Sequence, residues 1–208
     1  MPAYDLPPER LERWLARWGE RHGGIAGAQG TPEAVTFTGA DGATVRCEPP
    51  FPPLAEAASL AALLTHVGRR RRVGVVLVRL GGFAVGIFDG RRLVASKVGS
   101  SYVQGKTKAG GWSQQRYARR RANQAAQAYA GAADVVAMII LPRIDDLDAV
   151  VGGGDRAGVD EVLSDTRLWS VRARFTGEVW PTPDPRLRVL QEFPDQFRAV
   201  SIALNELA

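Results

Sequence analysis

Leu11, Trp14, Leu15 and Trp18 recur at steps of three and four with charged residues between them, which predicts an amphipathic helix over residues 8–22. Pro8 suits the first turn of that helix, and Gly23 and Gly24 end it. The tryptophans keep helical spacing, which assigns them to a core or an interface rather than to a base-stacking platform. Residues 35–38 and 44–47 flank the turn Gly39, Ala40, Asp41 and Gly42 and read as a β-hairpin. Pro49, Pro50, Pro52 and Pro53 form a stiff connector, and residues 54–67 read as a second helix. Residues 1–67 are therefore expected to form a small N-terminal helix-hairpin-helix subdomain, to which the sequence gives no chemistry of its own.

From Arg72 the pattern changes to strand. Residues 73–80, 83–88 and 93–98 are apolar or alternating runs, separated by Gly81-Gly82 and Asp89-Gly90, each a hairpin signal. A polar loop over residues 99–112 leads to a helix from 113 to about 141. A strand over 149–151 follows, then a turn at 152–154 and a short helix near 159–163. The tail offers strands at 171–175 and 199–204 with a helix around 186–193. This is an α+β arrangement, an antiparallel meander followed by α/β crossovers, and residues 68–208 are expected to form one domain.

The strongest local character lies between Lys97 and Tyr129. The loop carries Gly99, Gly105, Gly110 and Gly111, and the helix after it has Arg116, Arg119, Arg120 and Arg121 in its first two turns. A helix N-terminus carries partial positive charge, so each cation there costs about 0.3–1 kcal/mol. Such a face is either simply solvated or placed for a polyanion, which helix starts bind well. The Gly110-Gly111 pair permits positive φ and close backbone approach to a ligand, and Ser113 can cap the helix. Past the arginines, Ala118, Ala122, Ala125, Tyr129, Ala133, Val136 and Ile140 form a stripe expected to be buried.

Composition sets the surroundings of this stretch. A chain of 208 residues, 45% hydrophobic and 24% charged, has enough material for a sizeable core. Its net charge of +5 favours anionic partners such as nucleic acid. No apolar run approaches the roughly 18 residues a spanning helix needs, no basic amphipathic membrane anchor is visible, and the first residues lack a signal-peptide pattern. The single cysteine, Cys47, has no partner for an internal disulfide, and the cytoplasm is the expected compartment. His22 and His66 are isolated, so no metal and no cofactor is expected. Asp89, Asp145, Asp146 and Asp148 lack the clustering of a magnesium nuclease. Residues 152–158, Gly-Gly-Gly-Asp-Arg-Ala-Gly, lack the lysine and hydroxyl of a phosphate loop and read as a strand-to-helix turn.

Taken whole, Gly-Ser-Ser-Tyr-Val-Gln-Gly-Lys-Thr-Lys-Ala-Gly-Gly-Trp-Ser-Gln-Gln-Arg-Tyr-Ala-Arg-Arg-Arg-Ala-Asn-Gln-Ala from Gly99 onward resembles the actinobacterial branch of the release-factor-like peptidyl-tRNA hydrolases. These are related to the Vms/ANKZF ribosome-quality-control proteins and to the middle domain of eukaryotic and archaeal class-one peptide release factors. Release factors place glutamine directly after the glycine pair. This chain has Trp112 there, and the match is to a Gly-x-x-Gln form running from Gly111 to Gln114. The resemblance covers residues 72–165 and implies a ribonuclease H-like core with a long basic helix.

The resemblance further implies hydrolysis of the ester between nascent peptide and tRNA on stalled large subunits, by a monomeric protein. Gln114 would be the catalytic glutamine, supported by Gly110, Gly111 and Gln115, with Lys97, Lys106, Lys108, Trp112, Arg116, Arg119, Arg120 and Arg121 contacting RNA. Glutamine has no useful pKa and cannot serve as general base; its amide would hold a water or orient the terminal ribose. Two other readings stay open at this stage. One is an RNA-binding module without catalysis, and the other is a nuclease acting at the tRNA 3′ CCA end.

Overall fold

A computed structural model describes residues 3–54, 59–79, 82–100 and 112–208, with side chains from residue 4 onward except over 112–125. The chain opens with β1 (Ala3–Leu6), α1 (Pro8–Arg21), β2 (Ile25–Thr31), β3 (Ala34–Gly39), β4 (Thr44–Glu48) and α2 (Leu60–Gly68). It continues through β5 (Arg72–Arg79), β6 (Gly82–Asp89), β7 (Arg92–Ser100), α3 (Trp112–Ile139) and a 3₁₀ turn at Leu141–Asp146. Then come β8 (Ala149–Gly154), α4 (Arg156–Leu163), α5 (Trp169–Ala173), β9 (Phe175–Trp180), α6 (Leu187–Glu192), α7 (Pro194–Phe197) and β10 (Val200–Leu204). These elements make an α+β fold with two five-stranded sheets, divided between two compact units: Met1–Arg70 with Pro194–Ala208, and Arg71–Phe193.

In the first unit, period-two alternation puts Val35 and Phe37 of β3 and Val45 and Cys47 of β4 on one buried face. Leu11, Leu15 and Trp18 of α1 and Leu63 and Val67 of α2 complete that core with Val200 and Ile202 of β10. The sheet order is β1-β10-β4-β3-β2, antiparallel at every pairing. The α1 helix and the β3–β4 hairpin stand where the sequence places them. The helix expected over 54–67 is described only from Leu60, where Ser59 accepts a hydrogen bond from the Ala62 amide at 3.0 Å. Burial pushes the Cys47 thiol up to about 12, so it is inert packing.

The second unit holds a mixed sheet in the order β7-β6-β5-β8-β9, with β7, β6 and β5 antiparallel and β5, β8 and β9 parallel. Central β5 is buried from Val73 to Val78, which its unbroken apolar run requires of a strand covered on both faces. On one face Val76, Val78, Val85, Ile87 and Val150 pack against α3 and α4 through Ala132, Ala133, Val136, Ile140, Val159 and Val162. The other face meets Leu190 of α6 and Phe193, which stand against the positions of Gly86 and Gly153.

Three expectations are corrected. Residues 152–154 extend β8 instead of forming a turn, because Leu77, Phe193 and Val159 occupy the space where side chains at 152 and 153 would stand, which only glycine permits. Residues 171–175 are not a strand: Val171 is buried in the short helix α5, and β9 begins only at Phe175. The last strand, expected within residues 68–208, pairs as β10 between β1 and β4 of the first sheet.

Candidate functional site

The predicted loop is bounded by two described elements, and both are held by the core. β7 reaches Ser100, which pairs with Gly82 in register, and Gly99 pairs with Phe83. A Cβ at Gly99 would overlap the Phe83 ring, which packs against the core of the second unit. Gly99 is thus required by packing at the strand end, whatever the loop beyond it does. Gly99→Ala should destabilise the protein by about 1–3 kcal/mol, the usual cost of overpacking. A urea titration checks this, and an unchanged midpoint would show that Phe83 yields freely.

After residue 111, α3 runs for 28 residues. Its second half supplies the anchoring: Ala132, Ala133, Val135 and Val136 are buried in the core with Ile140 just past its end, and Tyr129 packs against them. The Tyr129 ring lies against Gly158 of α4, where a Cβ would stand 3.2 Å from it. Burial, followed by the nearby Asp155 and Glu161 carboxylates, raises the Tyr129 hydroxyl above its ordinary value. On the solvent side Asp134 accepts from Arg167 Nη2 at 2.8 Å, and Arg167 also holds Asp165 at 2.7 Å. The hydrogen bond from the Arg167 guanidinium is the largest cause that lowers the Asp165 carboxyl, to about 2, with the Arg167 amide next. One face of α3 is therefore tied by apolar burial and another by an ion-paired clamp.

The predicted residues divide as follows. Lys97 stands on β7 opposite Val85, on the sheet face that α3 covers, and is exposed. Trp112, Gln114, Gln115, Arg116, Arg119, Arg120 and Arg121 fall within α3, in its first three turns, and their side chains lie outside the described residues. Lys106, Lys108, Gly110 and Gly111 also lie outside the described residues. Of the predicted stripe, Tyr129 is half-buried and Ala133, Val136 and Ile140 are buried. Asp145 and Asp146 fall in the 3₁₀ turn, and Asp148 accepts from the Arg72 amide at 2.8 Å, a structural bond. Among the described residues no three histidine, cysteine or acidic side chains come together as a metal set, and no helix is long and apolar enough to cross a membrane.

The sequence reading missed a cavity of about 370 Å³ lined by Arg79, Gly154, Asp155, Pro181, Thr182 and Asp184. Arg79 Nη1 donates to the Thr182 carbonyl at 2.7 Å and its Nε lies 3.8 Å from Asp184. The Thr182 side chain is buried, and its hydroxyl has no hydrogen-bond partner among the described residues. The one signal in the sequence was a glycine run followed by an aspartate at a helix start.

Residues 71–203 match the protein family described as Actinobacteria/chloroflexi VLRF1 release factor. No curated protein matches the chain. Among solved structures, the archaeal translation termination factor aRF1 is similar with a TM-score of 0.44 at 14% identity, over 94% of this chain and 66% of that one. A structure titled "Archaeal protein" gives 0.40 at 15% identity, over 75% of this chain and 48% of that one. Pelota of Archaeoglobus fulgidus gives 0.29 at 9% identity, over 94% and 63%. The chain thus spans less than two thirds of the length of each of these three proteins.

Proposed function

The chain belongs to the Actinobacteria/chloroflexi VLRF1 release factor family, and from that membership we propose that it frees nascent peptides from tRNA on stalled ribosomal large subunits. The bond broken is the ester joining the peptide to the 3′ end of tRNA. The observation that carries this reading is the family match over residues 71–203, a span that takes in Gly110, Gly111 and Gln114 with both elements flanking them. The sheet order, three antiparallel strands continued by two parallel ones, supports reading the second unit as a ribonuclease H-like core.

In this reading the Gln114 amide holds the attacking water or the terminal ribose, and backbone N–H groups of Gly110 and Gly111 approach the developing oxyanion. The proton leaves through the substrate's 2′-hydroxyl or through water, because glutamine cannot accept it. Lys97, Lys106, Lys108, Trp112 and the arginines of α3 contact RNA, positioning the loop without reading sequence. The place of action is the cytoplasm. Incubating purified protein with large subunits carrying peptidyl-tRNA tests the reading: free peptide together with tRNA of full length is expected. Shortened tRNA would move the activity to the CCA end, and no product at all would leave an RNA-binding module.

Replacing Arg116, Arg119 and Arg120 together with glutamine should weaken ribosome binding. If each neutralises one phosphate, the slope of log K against log salt becomes shallower by about two to three. The melting temperature should hold or rise, because cations opposing the helix dipole have been removed. A variant that binds normally but melts early would make the arginines structural.

A further inference from the structure

We propose that Trp169 and Arg172, on the surface of the second unit, form an RNA-contact site, at which an unpaired nucleotide stacks on the indole ring while the guanidinium meets its phosphate. The first argument is the exposure of one ring. Trp169 is 74% exposed, the most of any large hydrophobic side chain among the described residues. The other described tryptophans are used in packing. Trp18 is fully buried, Trp14 meets the Tyr4 ring edge-on at 6.0 Å, and Trp180 meets Phe193 in the same way at 6.0 Å. Nor does the segment need the Trp169 ring for its own anchoring, because Leu168 and Val171 on either side of it are fully buried in the core of the second unit. Leaving so large an apolar ring in water forgoes the free energy its burial would supply. A partner that covers it accounts for its place.

The second argument is the charge around the ring. Residues 166–174 read Thr-Arg-Leu-Trp-Ser-Val-Arg-Ala-Arg, with three arginines and no carboxylate in nine residues. Trp169 and Arg172 stand three apart in α5, a spacing that puts two side chains on one helical face. Arg172 is exposed, and its guanidinium makes no hydrogen bond or ion pair with the described residues. The other two arginines are committed. Arg174 donates to the Leu147 carbonyl, and Arg167 bridges Asp134 and Asp165. That bridge occupies both carboxylates and ties the segment to α3, so Trp169 and Arg172 are presented from a fixed base.

An exposed aromatic ring beside a guanidinium fits single-stranded RNA. Bases stack on aromatic side chains whatever the sequence, and arginine pairs with phosphate through its planar fork. A duplex keeps its bases stacked on one another and offers the ring no free face. A protein partner fits less well, because interface tryptophans sit in well-packed surroundings that exclude water. Here the exposed residues flanking the ring in sequence are Thr166, Arg167, Arg172, Ala173 and Arg174. The site is also separate from the basic start of α3. Twenty residues of helix lie between Gln114 and Asp134, the residue that Arg167 holds, about 30 Å at 1.5 Å per residue. The inference stands apart from peptide release, since binding RNA here needs no catalysis.

The test is fluorescence anisotropy of the full chain with a labelled single-stranded RNA oligonucleotide and with the same strand annealed to its complement. Trp169→Ala should weaken single-strand binding about tenfold, the scale of one lost base stack, and change duplex binding by less than about twofold. Trp169→Phe keeps a ring and should stay within about threefold of the parent chain. Arg172→Gln should make the slope of log K against log salt shallower by about 0.7, the share of one phosphate on a single strand. Trp169→Ala removes a largely exposed side chain, so it should melt at the temperature of the parent. Single-strand binding indifferent to Trp169→Ala, an equal loss on the duplex, an alanine-like loss for Trp169→Phe, or early melting of Trp169→Ala would each overturn the proposal. So would loss of large-subunit binding by Trp169→Ala with RNA binding unchanged, which would assign the ring to a protein surface.

Discussion

Gly154→Ala should cost the protein about 3 kcal/mol or more of stability, a large share of the roughly 5–15 kcal/mol a folded domain has. Two effects add. Gly154 adopts φ +96°, and a left-handed backbone carries a penalty of about 1–2 kcal/mol for a residue with a Cβ. A Cβ there would also overlap the Val78 carbonyl oxygen and come within 3.0 Å of Arg79 Cγ. Backbone cannot rotate aside as a side chain can. That carbonyl already accepts the Asp155 amide at 2.8 Å, the bond that holds the start of α4 against the end of β5. Gly177 provides the control within the same unit. Its φ is +84°, and a Cβ there would meet nothing within 4 Å, so Gly177→Ala should lose only the backbone part, about 1–2 kcal/mol. Urea titration of both variants measures the difference. Equal losses would mean that the junction between β5 and α4 relaxes around a methyl group.

The same glycines show where the sequence was readable and where it was not. Helix α1, the β3–β4 hairpin, the β5–β6–β7 meander and α3 were legible because each carries its own period or turn signal over consecutive residues. β2 carries none: Ile-Ala-Gly-Ala-Gln-Gly-Thr is exposed along its whole length and shows no alternation. β10 was readable as a strand but its position was not, since its partners β1 and β4 lie some 150 or more residues earlier and no local rule reaches that far. β8 was cut short because glycine ordinarily marks a turn. Here it marks the close approach of Leu77, Phe193 and Val159. Val171 read as strand because it is β-branched, yet tertiary burial holds it in the helix α5.

The site divides in the same way. The glycine-rich loop and its basic helix stand out in sequence because their residues are contiguous and break a local rule, four cations at the positive end of a helix. The cavity beyond β5, β8 and β9 draws on residues 79, 154–155 and 181–184, and only the folded sheet brings them to one edge.

Gln114→Ala should slow peptide release by at least about 10²-fold, the usual loss when one positioned transition-state contact is removed, while ribosome binding stays nearly intact. Gln114 and Gln115 are consecutive residues of α3. Successive helical side chains point about 100° apart, so the two amides cannot both face one ester. Gln114 completes the sequence Gly111, Trp112, Ser113, Gln114 and stands closer to the loop, where an RNA end would arrive. Gln115 comes one residue later in the sequence, and if Gln114 is the catalytic glutamine, Gln115→Ala should lose much less. Because the glutamine is not a base, the residual activity of Gln114→Ala should keep the pH profile of the parent protein. A changed profile would mean that the residue shifts a titrating group. Single-turnover release from peptidyl-tRNA on large subunits measures both variants. A reversed ranking would move the site one residue along α3 with the mechanism intact, and undiminished release by both variants would remove the hydrolase assignment altogether.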